Sequence, residues 1–291
     1  MRWSNKIFPV LNASSGRDWE LFVPLGNSIP RIIHQTFPSR DLPIEIRQRI
    51  DQTLFENPGW EHRLYDDGEI VKFIKANYGS VILEYFNRIN PAYGAARADL
   101  FRYLLMYKVG GVYLDIKSYP EKRLDDVLRS DDQFLLSYWK NGSGQRYERW
   151  GMHYPELRHG EFQQWHIIAV PGHPFLRAAI RNVLNNIDKY NPGLHGTGRM
   201  GVLRVTGPIA YTLAIEPLLG KFSHRFADSE DELGLEYSIY GKIADQSHQD
   251  IFKSHYTNLK EPVVAVSRGV MAVAFAVRVL KKMRNFICVA G

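Results

Sequence analysis

Apolar residues along the chain fall into two alternating patterns, short β-branched runs and longer stretches with helical spacing. The short runs predict strands, and apolar residues that recur every three or four positions predict helices. Strands are predicted, in chain order, at residues 29–35, 60–65, 112–114, 133–138 and 165–170. Helices are predicted at residues 41–54, 66–78, 82–86, 95–109 and 174–187, and from 206 onward. Strands that alternate with helices predict an α/β fold with a mainly parallel sheet flanked by helices.

The domain organisation follows from the same pattern. We find no internal repeat and no low-complexity linker in the 291 residues, which favours a single domain with irregular C-terminal additions. We predict an N-terminal extension at residues 1–28, the domain itself at residues 29–260, and an apolar, basic C-terminal helix or tail at residues 261–291.

The composition of the chain limits the kinds of molecule that the protein is expected to bind. Hydrophobic residues make up 45% of the chain and charged residues 23%, as in ordinary soluble proteins. The net charge of +6 favours anionic partners. Because the basic residues are dispersed and no zinc-finger or RNP-type signature occurs, nucleic acid is not an expected partner. The single cysteine, Cys288, excludes an intrachain disulfide framework and a thiolate metal cluster.

Charged residues cluster in one stretch, residues 95–118. Asp99 and Arg102 are three residues apart on the predicted helix, so they can reach one site together. Asp115 and Lys117 follow the predicted strand at 112–114, and side chains past the carboxyl end of such a strand face the ligand crevice of an α/β sheet. The alternative is a core helix and strand with a solvated turn, but the clustering favours a site.

Four other features of the sequence also indicate local structure or a binding role. His34 and Gln35 follow the apolar part of the first strand, and a histidine there can be either a structural hydrogen-bonding group or a ligand contact. The glycine-rich residues 191–201 are typical of a lid or binding loop. The aromatic and charged residues 147–161 fit an acceptor-binding loop or plain surface. Gly110-Gly111 ends the helix where a backbone with positive φ is expected.

The chain resembles the family 32 glycosyltransferases, which have a DXD sugar-binding region and include yeast α-1,6-mannosyltransferases, sphingolipid mannosyltransferases and enzymes of capsular polysaccharide synthesis. The matching segments are IPRIIHQTF at 29–37, NPGWEHRLYDD at 57–67 and ARADLFRYLLMYKVGGVYLDIK at 96–117, with weaker matches PGHPFL at 171–176, TGP at 206–208 and HY at 255–256.

The resemblance implies a GT-A-type, Rossmann-like fold that transfers a hexose from a nucleotide-sugar donor to a glycan or lipid acceptor, with retention of configuration. It implies that Asp99 and Arg102 contact the donor sugar and its phosphates, and that Asp115 is the first Asp of the DXD motif. The catalytic residues expected on this basis are Asp99, Arg102, Asp115 and Lys117. The expected donor-binding residues are His34, Gln35, Asp99, Arg102, Tyr113 and Asp115.

Lys117 departs from the family pattern, since the family usually has an Asp there that binds Mn²⁺. An ammonium group repels a cation and cannot be its ligand. Three interpretations stay open. Lys117 stands in for the metal and stabilises the departing phosphates, or Asp115 and His255 still hold Mn²⁺, or the site is inert and the protein only binds a nucleotide sugar or carbohydrate.

Within the C-terminal residues 269–284, residues 269–280 form an apolar run that is followed by Lys281, Lys282 and Arg284. The run is interrupted by Arg278, so it falls short of a membrane span, but such a helix can lie in a membrane interface. The alternative is a helix packed on the domain. The first 20 residues lack the pattern of a signal peptide, so we expect a cytoplasmic or peripheral membrane location.

Overall fold

The computed structural model of the chain describes residues 10–12, 19–240 and 256–289. Its centre is a six-stranded sheet in the order β2-β1-β3-β6-β5-β7. A two-stranded ribbon, β4-β8, lies beside it. The strands are β1 Ile32–Thr36, β2 Glu61–Tyr65, β3 Gly111–Leu114, β4 Tyr119–Pro120, β5 Phe134–Leu136, β6 His166–Ala169, β7 Arg225–Phe226 and β8 Leu235–Glu236.

The sheet is mostly parallel, as predicted. β1 runs parallel to both β2 and β3, and β5 runs parallel to β7. β6 is the exception, because it is antiparallel to both of its neighbours, β3 and β5. The start of β6 therefore lies at the same edge of the sheet as the end of β3.

Helices cover the sheet and supply most of its larger core. They are α1 Ile44–Glu56, α2 Asp67–Arg88, α3 Gly94–Val109, α4 Leu124–Val127, α5 Pro174–Lys189, α6 Pro192–His195, α7 Gly198–Val205, α8 Pro208–Ile215 and α9 Arg268–Val289. The side chain of Asp66 caps α2 and forms a reciprocal capping box with Glu69. Within α2, Gly79 has non-helical torsion angles (φ 75°), so the helix is broken where the sequence pattern predicts two separate helices.

Alternate residues of the strands point into two different cores. Tyr113 and Ile167 pack against α3 and α5 in the larger core. Val112 and Ile168, their neighbours along the chain, pack in a smaller core on the other side of the sheet. This alternation follows from the two-residue period of a strand and explains why β3 and β6 read as continuous apolar runs.

Helix α3 is buried on nearly all sides, because it lies between the sheet and α5. Every residue from Asp99 to Tyr107 is buried. The sequence pattern predicts an apolar face formed by Leu100, Leu104 and Leu105, which is confirmed. The burial of Asp99 and Arg102 is not a consequence of that pattern, and it changes their electrostatics.

Two glycines make the tight connection from α3 to β3. Gly110 and Gly111 have φ values of 69° and 102°, in the region that favours glycine. A Cβ atom on Gly111 would lie 2.6 Å from the carbonyl oxygen of Ile32. The predicted positive φ is therefore confirmed, and close packing against β1 is a second reason for glycine.

The prediction of a long loop at residues 191–201 is wrong, whereas a binding role for this segment stays a prediction. The segment forms α6 and the first turns of α7, and its glycines pack against other parts of the chain. A Cβ on Gly193 would lie 2.6 Å from the carbonyl oxygen of Ala274 in α9, and one on Gly198 would lie 2.5 Å from that of Thr257. Here glycine allows close backbone approach, which single-sequence composition does not distinguish from loop flexibility.

The C-terminal helix α9 packs on α6 through Ala274, which is buried. Val277 is also buried, whereas Met271, Val273, Phe275 and Val279 are exposed, Phe275 most of all. No helix in the described ranges combines the length and apolar composition needed to cross a membrane. Contact of residues 269–284 with a membrane surface stays a prediction, as does the division of the chain at residues 28 and 260.

Candidate functional site

The candidate site lies at the edge of the sheet where β1 and β3 end and β6 begins. Asp115 directly follows β3, and its backbone N–H donates to the carbonyl oxygen of Trp165 at 2.8 Å. The chain then turns back, and the N–H of Ser118 donates to the carbonyl oxygen of Asp115 at 2.7 Å. Lys117 lies within this turn, so the sequence-predicted pair Asp115 and Lys117 is at the carboxyl edge of the sheet.

The side chain of Arg102, in α3, extends to this edge of the sheet and forms ion pairs with two carboxylates. Its Nη2 lies 3.0 Å from Oδ1 of Asp115 and 3.5 Å from Oδ1 of Asp99. The Arg102 and Asp99 side chains are only 6% and 4% exposed, whereas that of Asp115 is 28% exposed. Asp115 is therefore the member of this trio that a ligand can contact most easily.

Asp99 is held by residues far from it in sequence. Its Oδ1 accepts a hydrogen bond from Nε2 of Gln164 at 3.0 Å, and its Oδ2 accepts one from Oγ1 of Thr206 at 2.9 Å. The backbone carbonyl of Gln164 in turn accepts from Nη1 of Arg102 at 2.7 Å. Tyr103 also donates to the Gln164 side chain and to the carbonyl of Thr206. The trio is thus locked into a buried hydrogen-bond network.

Burial sets the charge states in this network. Burial raises the pKa of Asp99 to about 6, although the guanidinium of Arg102 acts in the opposite direction. Burial also acts to lower the pKa of Arg102, but the carboxylate of Asp115 and its other neighbours outweigh this and raise it above its ordinary value. Arg102 is therefore a fixed positive charge beneath the accessible carboxylate.

Tyr113 supports Arg102 from β3. The guanidinium carbon of Arg102 lies 4.8 Å from the centre of the Tyr113 ring, a cation–π contact. The Tyr113 hydroxyl lies 3.1 Å from Oγ1 of Thr36, at the end of β1. Burial raises the pKa of Tyr113 to about 12, so its hydroxyl stays protonated at neutral pH.

Gln35 positions the turn that carries Asp115. Its Nε2 donates to the backbone carbonyls of Asp115 and Ser118, each at 3.2 Å. Its Oε1 lies 3.0 Å from Nε2 of His62. Burial lowers the pKa of His62 to about 4, so this histidine is neutral at pH 7. Gln35 is itself buried and acts on the turn backbone.

His34 has a structural role in the described part of the chain. It is fully buried. Its Nε2 lies 3.0 Å from the carbonyl of Gly110, and its Nδ1 lies 3.1 Å from the hydroxyl of Tyr65. Burial lowers its pKa to about 4. Both ring nitrogens are used to join β1 to β2 and to the end of α3, which favours the structural interpretation over a donor contact.

Lys117 contacts an aromatic cluster beside the site. Its Nζ lies 3.8 Å from the centre of the Tyr237 ring. Tyr237 in turn meets Trp165 and Trp139 with ring centres 5.5 and 5.4 Å away. An ammonium group over an aromatic face is stabilised in its charged form.

The residues described do not by themselves fit a Mn²⁺ site. Asp115 is the one expected metal ligand among them, and its Oδ1 already pairs with Arg102. No cluster of three His, Cys, Asp or Glu side chains with metal-ligand spacing occurs within the described ranges. The second expected ligand, His255, lies outside those ranges.

Gln164 and Thr206 complete the site, and sequence reasoning did not identify Gln164. It precedes β6, and a residue before a strand is expected at the opposite edge of a parallel sheet. Because β6 runs antiparallel to β3, Gln164 instead lies at the edge of the sheet that carries Asp115. Thr206 belongs to the weak TGP match at 206–208, and its bond to Asp99 spans 107 positions of the chain.

The expected family resemblance is confirmed by comparison with known proteins. Residues 43–135 match the family described as "Glycosyltransferase sugar-binding region containing DXD motif". This segment contains α3, β3 and Asp115, while Gln164 and Thr206 lie beyond it.

Two curated relatives illustrate the similarity. The chain is 29% identical over 213 residues to the initiation-specific alpha-1,6-mannosyltransferase of Schizosaccharomyces pombe, covering 68% of this chain and 50% of the relative. It is 34% identical over 105 residues to a mannosyl phosphorylinositol ceramide synthase of Saccharomyces cerevisiae, covering 36% of this chain and 27% of the relative. The chain therefore spans half or less of these relatives.

Among solved structures, the chain is similar to one named PaToxG Glycosyltransferase. The identity is 14%, the TM-score is 0.46, and the alignment covers 87% of this chain and 88% of the other.

Proposed function

We propose that this protein is a glycosyltransferase that moves a hexose from a nucleotide-sugar donor to a hydroxyl of a glycan or lipid acceptor. The observation that carries the proposal is the pair of Arg102 and Asp115, a buried cation beneath an accessible carboxylate at the carboxyl edge of the sheet. The family match over this segment supports it. Mannose is the first donor sugar to test, because the relatives' names describe mannosyl transfer.

The proposed roles follow from what the reaction needs. Asp115 accepts hydrogen bonds from donor hydroxyls, and Arg102 stabilises charge that develops on the departing diphosphate. Asp99 and Tyr113 hold the Arg102 guanidinium in place. Gln35 and His34 act as positioning residues, since they contact the backbone around the site. Retention of anomeric configuration is part of the proposal on the strength of the resemblance.

The function is tested by donor hydrolysis and thermal shift with a panel of nucleotide sugars that includes GDP-mannose. We expect one nucleotide sugar to raise the Tm and to release its nucleotide slowly without acceptor. NMR of the released or transferred sugar then reports its anomeric configuration. A clear Tm shift without nucleotide release, with or without Mn²⁺, would favour the rival function, an inert nucleotide-sugar or carbohydrate-binding protein.

We further propose that Lys117 supplies the positive charge that a metal supplies in relatives with a second Asp. The support is its place two residues after Asp115 and its charged contact with Tyr237. Turnover is then expected to stay within about twofold of its initial rate in excess EDTA, because the diphosphate is neutralised by the ammonium group. Lys117→Ala is expected to lose at least about tenfold in turnover.

Lys117→Asp gives the sharper comparison, because it recreates an Asp-x-Asp spacing. We expect its turnover to be low without metal and to rise on addition of Mn²⁺, while Lys108→Ala at the exposed end of α3 behaves as wild type. The lysine hypothesis is wrong if EDTA abolishes wild-type turnover and Mn²⁺ restores it.

A further inference from the structure

We infer that the segment of residues 147–161 binds a sugar unit of the acceptor, with Trp150 as the stacking face and His153 as the hydrogen-bonding edge. This inference rests on the proposed function, since it assigns the acceptor side of the same reaction. The segment has turns in place of long helices or strands, and three structural features support the inference.

The first feature is that the segment is held in one conformation. The N–H of Glu161 donates to the carbonyl of Gly151 at 2.7 Å, and Nδ2 of Asn141 donates to the carbonyl of Trp150 at 2.8 Å. Gly151 has φ of 69°, and a Cβ there would lie 2.5 Å from Cδ1 of Trp139. A surface fixed in this way loses little conformational entropy when it binds a ligand.

The second feature is the way in which Trp150 is packed. It is 37% exposed, and its neighbours Trp139, Tyr147 and Tyr237 have ring centres 5.3, 5.3 and 5.7 Å away. The interplanar angles are 61°, 51° and 90°, so none of these rings is stacked on the indole. A rigid indole with an exposed surface can pack against the C–H face of a sugar.

The position of Trp150 links this surface to the donor site. The Tyr237 ring that meets Trp150 edge-on also lies under the Nζ of Lys117 at 3.8 Å. Lys117 is two residues from Asp115, which we propose to bind the donor sugar. A sugar stacked on Trp150 is thus separated from the donor side of the site by one aromatic ring.

The third feature is a histidine oriented by a buried carboxylate. Glu161 is 1% exposed, and its carboxylate accepts from the backbone N–H of His153 at 2.8 Å and from Nδ1 at 2.9 Å. Because a carboxylate only accepts, Nδ1 carries the proton of this hydrogen bond, which leaves Nε2 as the acceptor. Nε2 accepts from Nη2 of Arg199 at 3.1 Å, and Arg199 is exposed.

A sugar hydroxyl can replace this direct contact when the exposed Arg199 side chain moves aside. Its O–H would donate to Nε2 of His153, and its oxygen would accept from the guanidinium of Arg199. An aromatic face with a few oriented polar groups at its edge is the usual composition of a small-ligand site. The 147–161 segment provides both, three residues apart in the chain.

The experiment measures glycoside binding separately from donor chemistry. The probes are the methyl α-glycosides of mannose, glucose and galactose, and binding is followed by ligand-observed NMR on the full chain. The variants are Trp150→Ala, Trp150→Phe and His153→Ala. Met152→Ala is the matched control, because Met152 is exposed on the same turn. Tm and donor hydrolysis are measured for every variant.

We expect Trp150→Ala and His153→Ala to weaken binding of at least one methyl glycoside by about tenfold or more, since each removes roughly 1.4 kcal/mol of contact. Trp150→Phe should retain most of the binding, and Met152→Ala all of it. Donor hydrolysis should stay within about twofold of wild type in the control variant Met152→Ala.

Two results would overturn the inference. One is wild-type binding in both Trp150→Ala and His153→Ala, and the other is a wild-type protein that binds none of the three glycosides. Failure of the proposed function has a different signature, namely no binding and no hydrolysis of any nucleotide sugar by the wild-type protein, whatever the glycoside result.

Discussion

Arg102→Met is expected to lower donor turnover by at least ~100-fold and to lower the free energy of unfolding by about 3–5 kcal/mol at pH 8. The substitution removes the cation of a buried network and leaves the Asp99 carboxylate, 4% exposed, without its charge partner. Turnover falls because the charge proposed to stabilise the departing diphosphate is lost. Chemical denaturation and nucleotide release measure the two effects separately.

The stability loss should depend on pH. Burial already raises the pKa of Asp99 to about 6 with Arg102 present, and without the guanidinium this pKa rises further. A carboxyl group whose pKa is higher in the folded than in the unfolded protein takes up a proton on folding, so stability falls as the pH rises above about 4. The deficit of Arg102→Met relative to wild type should therefore be smaller at pH 5 than at pH 8.

The control for Arg102→Met is Arg97→Met on the same helix. The Arg97 guanidinium lies over the Phe86 ring at 4.4 Å, and the carboxylate that acts on its pKa is that of Asp67, outside the buried trio, so we expect a loss below about 1 kcal/mol. Adding Asp99→Asn to Arg102→Met should recover part of the stability, because it removes the unpaired charge. Equal losses in the two arginine variants, or a deficit that does not change with pH, would contradict this account.

Asp115→Asn should reduce donor turnover by at least ~100-fold while changing the free energy of unfolding by less than about 1 kcal/mol. The side chain is 28% exposed, and Arg102 keeps its contact with Asp99, so no buried charge is left unpaired. The asparagine keeps the shape of the side chain and replaces one acceptor oxygen with a donor. Steady-state donor hydrolysis and Tm together test whether the variant loses turnover without losing stability.

Asp125→Asn is a matched control for Asp115→Asn. Asp125 is 30% exposed and pairs with Arg31 at 3.1 Å, so its exposure matches that of Asp115, although Arg31 is 61% exposed and Arg102 only 6%. It lies in α4 on the smaller core side of the sheet and has no proposed role in donor binding. We expect wild-type turnover from this variant. Turnover of Asp115→Asn within about threefold of wild type would remove Asp115 from the proposed donor site.

The local parts of this fold could be predicted from the sequence because they depend on neighbouring residues. The helical spacing of Leu100 and Leu104, the glycine pair before β3 and the break at Gly79 are all local signals, and the structure has each of them. The position of Asp115 at the sheet edge followed from one further rule about strand ends.

The parts that were missed depend on contacts between distant residues. Gln164 reaches Asp99 only because β6 is reversed, and strand direction has no signature in a short apolar run. Whether His34 faced a ligand or the protein depended on Gly110 and Tyr65. The wrong prediction of a loop at residues 191–201 also comes from contacts between distant residues. The glycines of this segment allow close packing against α9 and against Thr257.

The bond between Thr206 and Asp99 also has a consequence for the order of folding. It closes a separation of 107 residues, and the Gln164 bond to Asp99 closes one of 65. Contacts with such long separations cost more chain entropy and form after local ones. Helix α3 can therefore form early with Asp99 still hydrated, whereas the binding site is completed only when the end of α7 and the residues before β6 have docked. On a growing chain, the capacity to bind donor should therefore appear only after Thr206 has been added.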